Sequence, residues 1–172
     1  EGFAIKSQSS RRESAGILIQ SNDNLIIDNL VHGCGNAGVV LSHAINNTIL
    51  SNLIEGNGNE GMYLKNSSRN RLEGNQIRDN RYGLRLEDSH TNKIVGNLLQ
   101  NNQFEAMYLQ ASHSNLIEGN LAEDNEVGLV MEKSRSNLVA RNDIQGNEKG
   151  ISLTSQESSI AVSTKGKGVF IS

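Results

Sequence analysis

Residues 70–86 carry the pattern that decides the fold, and they read Asn-Arg-Leu-Glu-Gly-Asn-Gln-Ile-Arg-Asp-Asn-Arg-Tyr-Gly-Leu-Arg-Leu. Asparagine recurs every five residues in this stretch, and apolar residues alternate with polar or small ones. Alternation over a few residues predicts short β-strands with one buried face. Asparagine at this density disfavours a helix. The stretch therefore predicts short strands separated by turns.

The same pattern returns along the chain with a period of 22 or 23 residues. A small residue precedes each apolar-x-apolar triplet, at Gly16, Gly38, Gly61, Gly83, Ala106, Gly128 and Gly150. Three asparagine columns keep the same period: Asn24, Asn47, Asn70, Asn92, Asn115 and Asn137; Asn29, Asn52, Asn75, Asn97, Asn120 and Asn142; and Asn57, Asn80, Asn102, Asn125 and Asn147, preceded by Cys34. Helical repeat units such as ankyrin or tetratricopeptide units are longer than this period.

Three short strands in each repeat, with successive repeats stacked in parallel, form a β-helix of about seven coils. Asparagine is expected at the corners, because it tolerates the left-handed backbone region and stacked amides can bond from coil to coil. The repeats occupy residues 16–153. Residues 1–15 are predicted to form an incomplete first coil or an N-terminal cap, with 2–5 as a first strand. Residues 154–172 are predicted to form a C-terminal coil or cap.

Composition limits the classes of function. The net charge of -3, with signs interspersed, provides no basic face, so nucleic acid is not an expected partner. No stretch approaches the ~18 consecutive apolar residues of a membrane span. One cysteine, Cys34, excludes an internal disulfide framework and a multi-cysteine zinc site. Because the sequence does not begin with Met, we expect it to be part of a longer chain.

The pattern Asn-x-(Ile/Leu)-x-Gly-Asn followed by Gly-(Ile/Leu)-x-Leu, as at residues 70–75 and 115–120, resembles the NosD-like or CASH repeats. The resemblance covers roughly residues 16–153 and implies a right-handed parallel β-helix associated with carbohydrates. Members of this group include polysaccharide lyases, alginate C-5 epimerases, the periplasmic copper-assembly protein NosD and non-enzymatic surface proteins. The resemblance thus implies an extracellular or periplasmic location. The Asp-Pro-His-Asp signature of alginate epimerases is absent, because the chain has no proline.

Function in such a rod is expected on an outward column of side chains. The best candidate for a carbohydrate-binding surface consists of Tyr63, Arg85 and Tyr108 in consecutive coils, beside Lys65, Glu87 and Gln110. Tyrosine rings and the forked guanidinium suit sugar rings and carboxylates. A simpler interpretation is a cation-π stack of Arg85 between the two tyrosines, which only covers the sheet.

Three functions remain open from the sequence. The first is a module that binds extracellular polysaccharide, neutral or anionic, along an outward strand face. The second is a fragment of a polysaccharide lyase or uronan C-5 epimerase, in which Arg85 or Lys65 would neutralise a carboxylate and a tyrosine would transfer protons. The third is a structural spacer of a surface or periplasmic protein. Whether the chain is an enzyme is left open, and no catalytic residue is assigned.

The acidic and histidine residues indicate little further chemistry. Glu73 and Glu118 are predicted to lie two coils apart, which is too far for a retaining glycosidase pair. His90 and His113 are predicted to share a column at the first corner of the coil. Two imidazoles could bind a metal, but we interpret them as solvated corner residues. No metal and no cofactor is predicted.

Overall fold

The computed structural model describes residues 4–5, 15–154, 161–166 and 169–171. The regular structure in these ranges consists of short strands that pair in parallel, and no helix there is long and apolar enough to cross a membrane. The predicted parallel β-helix is confirmed. Six coils are complete between Ile17 and Gln145, and further strands stack beyond them from Lys149 onward, whereas the sequence predicted about seven coils.

Each coil contains three strands, and strands of the same kind stack on one another. The first strands are Ile17–Ile19, Val39–Ser42, Glu60–Lys65, Tyr82–Glu87, Glu105–Gln110, Val127–Glu132 and Lys149–Thr154. The second strands are Leu25–Ile27, Thr48–Leu50, Arg71–Glu73, Lys93–Val95 and Leu116–Glu118. The third strands are Leu30–His32, Leu53–Glu55, Gln76–Arg78, Leu98–Gln100 and Leu121–Glu123. In the sixth coil the second and third strands are continuous, as Leu138–Gln145.

The ends of the chain add strands to this stack. Ala4–Ile5 pairs with Leu30 and Val31 of a third strand, so the prediction of a first strand at 2–5 is wrong. Too few residues separate this segment from Gly16 for a whole coil, and it therefore enters at the third-strand position. Ala161–Gly166 pairs with Leu138–Gln145, and Val169–Ile171 pairs with Lys149–Thr154. The rest of the predicted end segments, 1–15 and 154–172, lies outside the described residues except for 15 and 154, and their capping role stays a prediction.

The core is a set of continuous apolar columns along the rod. The two apolar residues of each first-strand triplet are buried from the second coil onward, as with Leu64, Leu86 and Leu109, which pair in register in consecutive first strands. Ile17 and Ile26 of the first coil are only partly buried. Each fully buried side chain of this kind contributes about 1.5–3 kcal/mol, so the stability of the rod is a sum over neighbouring coils.

The recurring glycine before each first-strand triplet is required by close packing against the third strand. A Cβ atom added at Gly61 would lie 2.4 Å from Cγ2 of Ile77, far inside van der Waals contact. The fifth coil has Ala106 at this place, and the residue there in register with Ile77 is the smaller Ala122. The two positions therefore share a limited volume, and the coil accommodates either a glycine with a large partner or two alanines.

The asparagine columns form buried ladders along the rod, as predicted. In the second column, the backbone N–H and the Nδ2 atom of Asn75 both donate to Oδ1 of Asn97, each at 3.0 Å. Asn97 donates in the same way to Oδ1 of Asn120, and its Nδ2 atom also donates to the Leu72 carbonyl oxygen of the preceding coil. Each amide thus ties its own coil to the coil before and the coil after.

The ladder asparagines are not themselves the left-handed residues, which corrects the sequence prediction. Positive φ angles occur at the residue immediately before each of them, as at Ser51 (54°), Gly96 (62°) and Arg141 (55°) in the second column. The left-handed residue turns the chain, and the following asparagine then directs its amide into the corner. Corner conformation and ladder bonding are therefore divided between two adjacent residues.

A fourth ladder, made of serine, follows the first strand and was not predicted. The backbone N–H of Ser67 donates to Oγ of Ser89, that of Ser89 to Oγ of Ser112, and that of Ser112 to Oγ of Ser134. All four side chains are fully buried. The column starts with Ala44 in the second coil, whose N–H donates to Oγ of Ser67. The serine hydroxyl oxygen therefore accepts a backbone hydrogen bond from the preceding coil, as the asparagine Oδ1 atom does at the other corners.

We expect the substitution Asn97→Asp to lower the free energy of unfolding by about 2–4 kcal/mol. The side chain is 2% exposed, and aspartate would lose the Nδ2 donors while directing carboxylate oxygens at the Leu72 carbonyl and Oδ1 of Asn120. Asn101→Asp is the matched control, because Asn101 is exposed and Asp79 already occupies the same left-handed position one coil earlier. Urea unfolding of both variants measures the difference; equal stabilities would contradict the role assigned to the ladder.

Candidate functional site

The six residues predicted to form a binding surface lie together on the outward side of three consecutive first strands. Tyr63, Arg85 and Tyr108 are in register, and so are Lys65, Glu87 and Gln110 in the adjoining column. We call this surface the first-strand face. The guanidinium carbon of Arg85 lies 5.6 Å from the ring centroid of Tyr63 and 5.4 Å from that of Tyr108. The predicted cation-π stack is therefore present, and one face of each ring is occupied by Arg85.

The charge of Arg85 is matched by two carboxylates. Its Nη1 atom lies 3.7 Å from Oε1 of Glu60, and its Nη2 atom lies 3.5 Å from Oε2 of Glu87. Lys65 Nζ lies 3.6 Å from the other oxygen of Glu87. Both Lys65 and Arg85 are consequently engaged within the protein. A ligand carboxylate would have to compete with these glutamates for either cation.

The two tyrosine hydroxyls are hydrogen-bond donors to carboxylates. Tyr63 donates to Oε2 of Glu87 at 2.7 Å, and Tyr108 donates to Oε2 of Glu132 at 2.7 Å. Burial and then the glutamate partner raise the pKa of Tyr108 to about 12, and the same causes raise the pKa of Tyr63 further above its usual value. The hydrogen bond from Tyr63 holds the pKa of Glu87 below its usual value. Both tyrosines are therefore protonated at neutral pH and are poorly suited to act as a general base.

The turn that joins the third strand to the next first strand varies in length by one residue, and this variation creates a cleft beside the first-strand face. Three residues lie between Asn57 and Gly61 along the chain, but only two lie between Asn80 and Gly83. Because the shorter turn lacks one residue, the N–H groups of Arg81 and Tyr82 both donate to the Asn59 carbonyl oxygen, at 3.0 and 3.2 Å. The mismatch leaves a concave space between the two turns.

This cleft, which we call the notch, has a volume of about 540 Å³ and is lined by Gly35, Asn36, Gly58, Asn59, Glu60, Tyr63 and Arg81. Glu60 is 5% exposed and connects the notch to Arg85. The same shortening recurs between Asn102–Ala106 and Asn125–Gly128, where a second cleft of about 700 Å³ is lined by Asn101, Asn102, Gln103, Asp124, Asn125, Glu126, Gly146 and Glu148.

Several residues of the notch region were not predicted from the sequence. The rings of Tyr82 and Phe104 stack with their centroids 5.2 Å apart, and the guanidinium carbon of Arg81 lies over both, at 5.8 and 5.2 Å. Glu105 is in the first-strand column that also contains Glu60, and its Oε2 atom is buried without a hydrogen-bond partner among the described residues. The alternation of 22- and 23-residue spacings was the signal that could have located this region.

His90 and His113 stack at the first corner, as predicted, with ring centroids 5.0 Å apart and ring planes 7° from parallel. The backbone N–H of His113 donates to Nδ1 of His90 at 3.1 Å, and that of Arg135 donates to Nδ1 of His113 at 3.1 Å. Both Nδ1 lone pairs are thus used in bonds between coils, and the neutral rings carry their proton on Nε2. This tautomer leaves neither nitrogen free for a metal, and the described residues contain no group of three or more metal-ligating side chains.

Comparison with known proteins identifies the family. Residues 15–165 match the family model described as the right handed beta helix region. The match covers most of the chain, so the chain belongs to the right-handed β-helix family, and the predicted handedness is confirmed. No curated protein matches the sequence significantly.

Solved structures with the same fold include enzymes that act on polysaccharides. The A-module of the Azotobacter vinelandii mannuronan C-5 epimerase AlgE6 is 17% identical, with a TM-score of 0.75 over 90% of this chain and 55% of that one. The periplasmic alginate epimerase AlgG is 19% identical, with a TM-score of 0.71 over 87% and 42%. Pectate lyase Pel9A is 15% identical, with a TM-score of 0.63 over 77% and 44%. The present chain thus corresponds to about half of each structure, and the likeness concerns the fold.

Acidification is expected to destabilise the rod through the histidine stack. Burial, followed by the neighbouring charges of His90 and Arg135, lowers the pKa of His113 below its ordinary 6.5, while Asp88 opposes this shift. The unfolded chain therefore binds the proton more readily, and the stability that His113 contributes is complete above pH 6.5 and is lost as the pH falls through the folded-state pKa.

Urea unfolding between about pH 7.5 and about pH 5 measures this loss. His113→Gln, which keeps a side-chain acceptor but does not titrate, is expected to have a shallower pH dependence than the wild type. His43→Gln, at an exposed corner, is the control and is expected to keep the wild-type slope. Identical slopes for wild type and His113→Gln would refute the assignment.

Proposed function

We propose that this chain is a carbohydrate-associated β-helix module of the NosD-like or CASH type that binds extracellular or periplasmic polysaccharide along its first-strand face. The observation that carries the proposal is the in-register column of Tyr63, Arg85 and Tyr108, which is flanked by hydrogen-bonding side chains and adjoins the notch. Three coils with aligned polar and aromatic groups provide an extended surface, and an extended surface suits a polymer better than a small molecule.

The chemistry of the surface supports recognition of hydroxyl groups. Glu87 and Lys65 are partly exposed, with side-chain exposures of 25% and 48%, and Gln110 stands in the same column. Carboxylate, ammonium and amide groups together offer both acceptors and donors to sugar hydroxyls. The guanidinium of Arg85 is held between the two tyrosine rings and forms a firm base under these groups.

A lyase or uronan epimerase fragment is the second candidate, and it is favoured by the fold shared with the alginate epimerases and pectate lyase. The first-strand face offers weak support for such catalysis. Its tyrosines are protonated donors, and its cations are paired with glutamates. Under this second proposal the proton-transferring residues would lie elsewhere on the rod or on parts of a longer chain.

Affinity electrophoresis through gels that contain different polysaccharides tests the binding proposal. We expect at least one polysaccharide to retard the wild type, and Arg85→Gln and Tyr108→Ala to weaken that binding about tenfold by removing groups central to the face. Arg78→Gln is the matched control, because Arg78 pairs with Glu55 on the outward side of the third strands. Equal thermal midpoints would show that the variants are folded.

Two outcomes would redirect the assignment. Absence of retardation by any polysaccharide would favour a structural spacer. Cleavage or epimerisation of a uronan by the wild type, with activity unaltered in Tyr63→Phe and Tyr108→Phe, would favour an enzyme whose reacting groups lie away from this face.

A further inference from the structure

The notch is lined by the backbone of two glycines and by polar side chains. Gly35 and Gly58 are exposed and leave backbone accessible, which permits close approach by a ligand. The amides of Asn36 and Asn59 line the notch, are half-buried, and make no side-chain hydrogen bond within the described residues. Amides in this condition keep both a donor and an acceptor for a ligand.

The notch differs in this respect from the ladders that surround it. Asn57 directly precedes the notch residue Gly58, and Asn80 directly precedes the notch residue Arg81. The amides of both asparagines are engaged in hydrogen bonds from coil to coil. Asn36 and Asn59 lie outside these ladders, so their amides are not needed to hold the coils together. Their placement in a concave space beside Tyr63 makes both amides accessible to a ligand.

The charges around the notch disfavour a polyanion. Glu60, Glu87 and Glu105 lie on the three first strands that carry or adjoin Arg85, and the cations there are Lys65, Arg81 and Arg85. Lys65 and Arg85 are paired with Glu87 and Glu60. Arg81 forms no ion pair within the described part of the chain, and its guanidinium lies over Phe104 and Tyr82. One unpaired cation can meet one carboxylate, but a uronan brings a charge on every ring and would set the others beside the glutamates.

We propose that the notch and the adjoining first-strand face take a neutral glycan, whose hydroxyls bond to the amides of Asn36 and Asn59, the carboxylate of Glu60 and the guanidinium of Arg81. This inference rests on the proposed function and specifies its ligand class. Hydroxyl groups both donate and accept, and they match a lining that mixes amides with one carboxylate and one guanidinium. A neutral chain also leaves the ion pairs of Arg85 intact.

Isothermal titration with hexasaccharides of two classes tests the inference. The neutral class comprises gluco-, manno- and xylo-oligosaccharides, and the acidic class comprises oligomannuronate and oligogalacturonate. We expect a neutral hexasaccharide to bind, with a Kd that changes less than about twofold between about 20 and about 500 mM NaCl, because hydrogen bonds to uncharged groups are little screened. Asn59→Ala is expected to weaken binding about tenfold and Arg81→Gln no more than about threefold.

Gln76→Ala is the matched control, since Gln76 is an exposed amide residue on the outward side of a third strand. Its affinity should equal that of the wild type. Binding of acidic hexasaccharides alone, weakened more than about tenfold by salt and abolished by Arg81→Gln, would overturn the neutral assignment while leaving the proposed function standing. Neutral binding that Asn59→Ala leaves unchanged would remove the notch from the site. Absence of binding by both classes would defeat the proposed function and this inference together.

Discussion

The register between successive coils is the constraint on which the rest of this structure depends, and buried side-chain amides hold it. An asparagine inside a ladder, such as Asn97, accepts two hydrogen bonds on Oδ1 and donates its own amide protons to neighbouring coils, so a shift by one residue would break several buried bonds at once. The core columns and the outward columns are consequences of that register. The number of residues in a coil can change only in a segment that carries no ladder residue. In this chain it changes between the third ladder asparagine and the first strand.

Much of the fold could be predicted from the sequence because two periodicities coincide, that of the asparagines and that of the apolar triplets. Together they define strand positions, inward residues and the neighbours on each outward face, including Arg85 between its tyrosines. The serine ladder was not predicted, because its first position is Ala44 and because serine is common at turns in general. The left-handed positions were assigned one residue too late, since asparagine suits both a positive φ and a ladder, and sequence alone does not separate the two uses.

The composition of the candidate site was harder to predict than its place. When the repeats are aligned on the small residue before the first strand, the turn after Asn80 does not show that it is one residue shorter. The notch, which results from that shortening, is therefore not predicted. Glu60 then looks like an ordinary surface residue, although it is buried against Arg85. Protonation of the tyrosines likewise depends on distances to Glu87 and Glu132 that no spacing reveals. The outcome is a face whose strongest electrostatic interactions are satisfied internally.

The ladders have a direction, and this gives the rod a chemical polarity. Every ladder amide with another asparagine after it in its column donates toward the following coil, as Asn75 does to Asn97, and the final members, Asn137, Asn142 and Asn147, donate to carbonyl oxygens of the coil before. Between two neighbouring ladder coils, the earlier coil therefore presents donors and the later coil presents acceptors. Head-to-tail addition meets both requirements, whereas a reversed coil would set like groups against each other. Tandem duplication within a gene produces only the compatible orientation, so the rod can be lengthened by the simplest genetic event without altering its bonding.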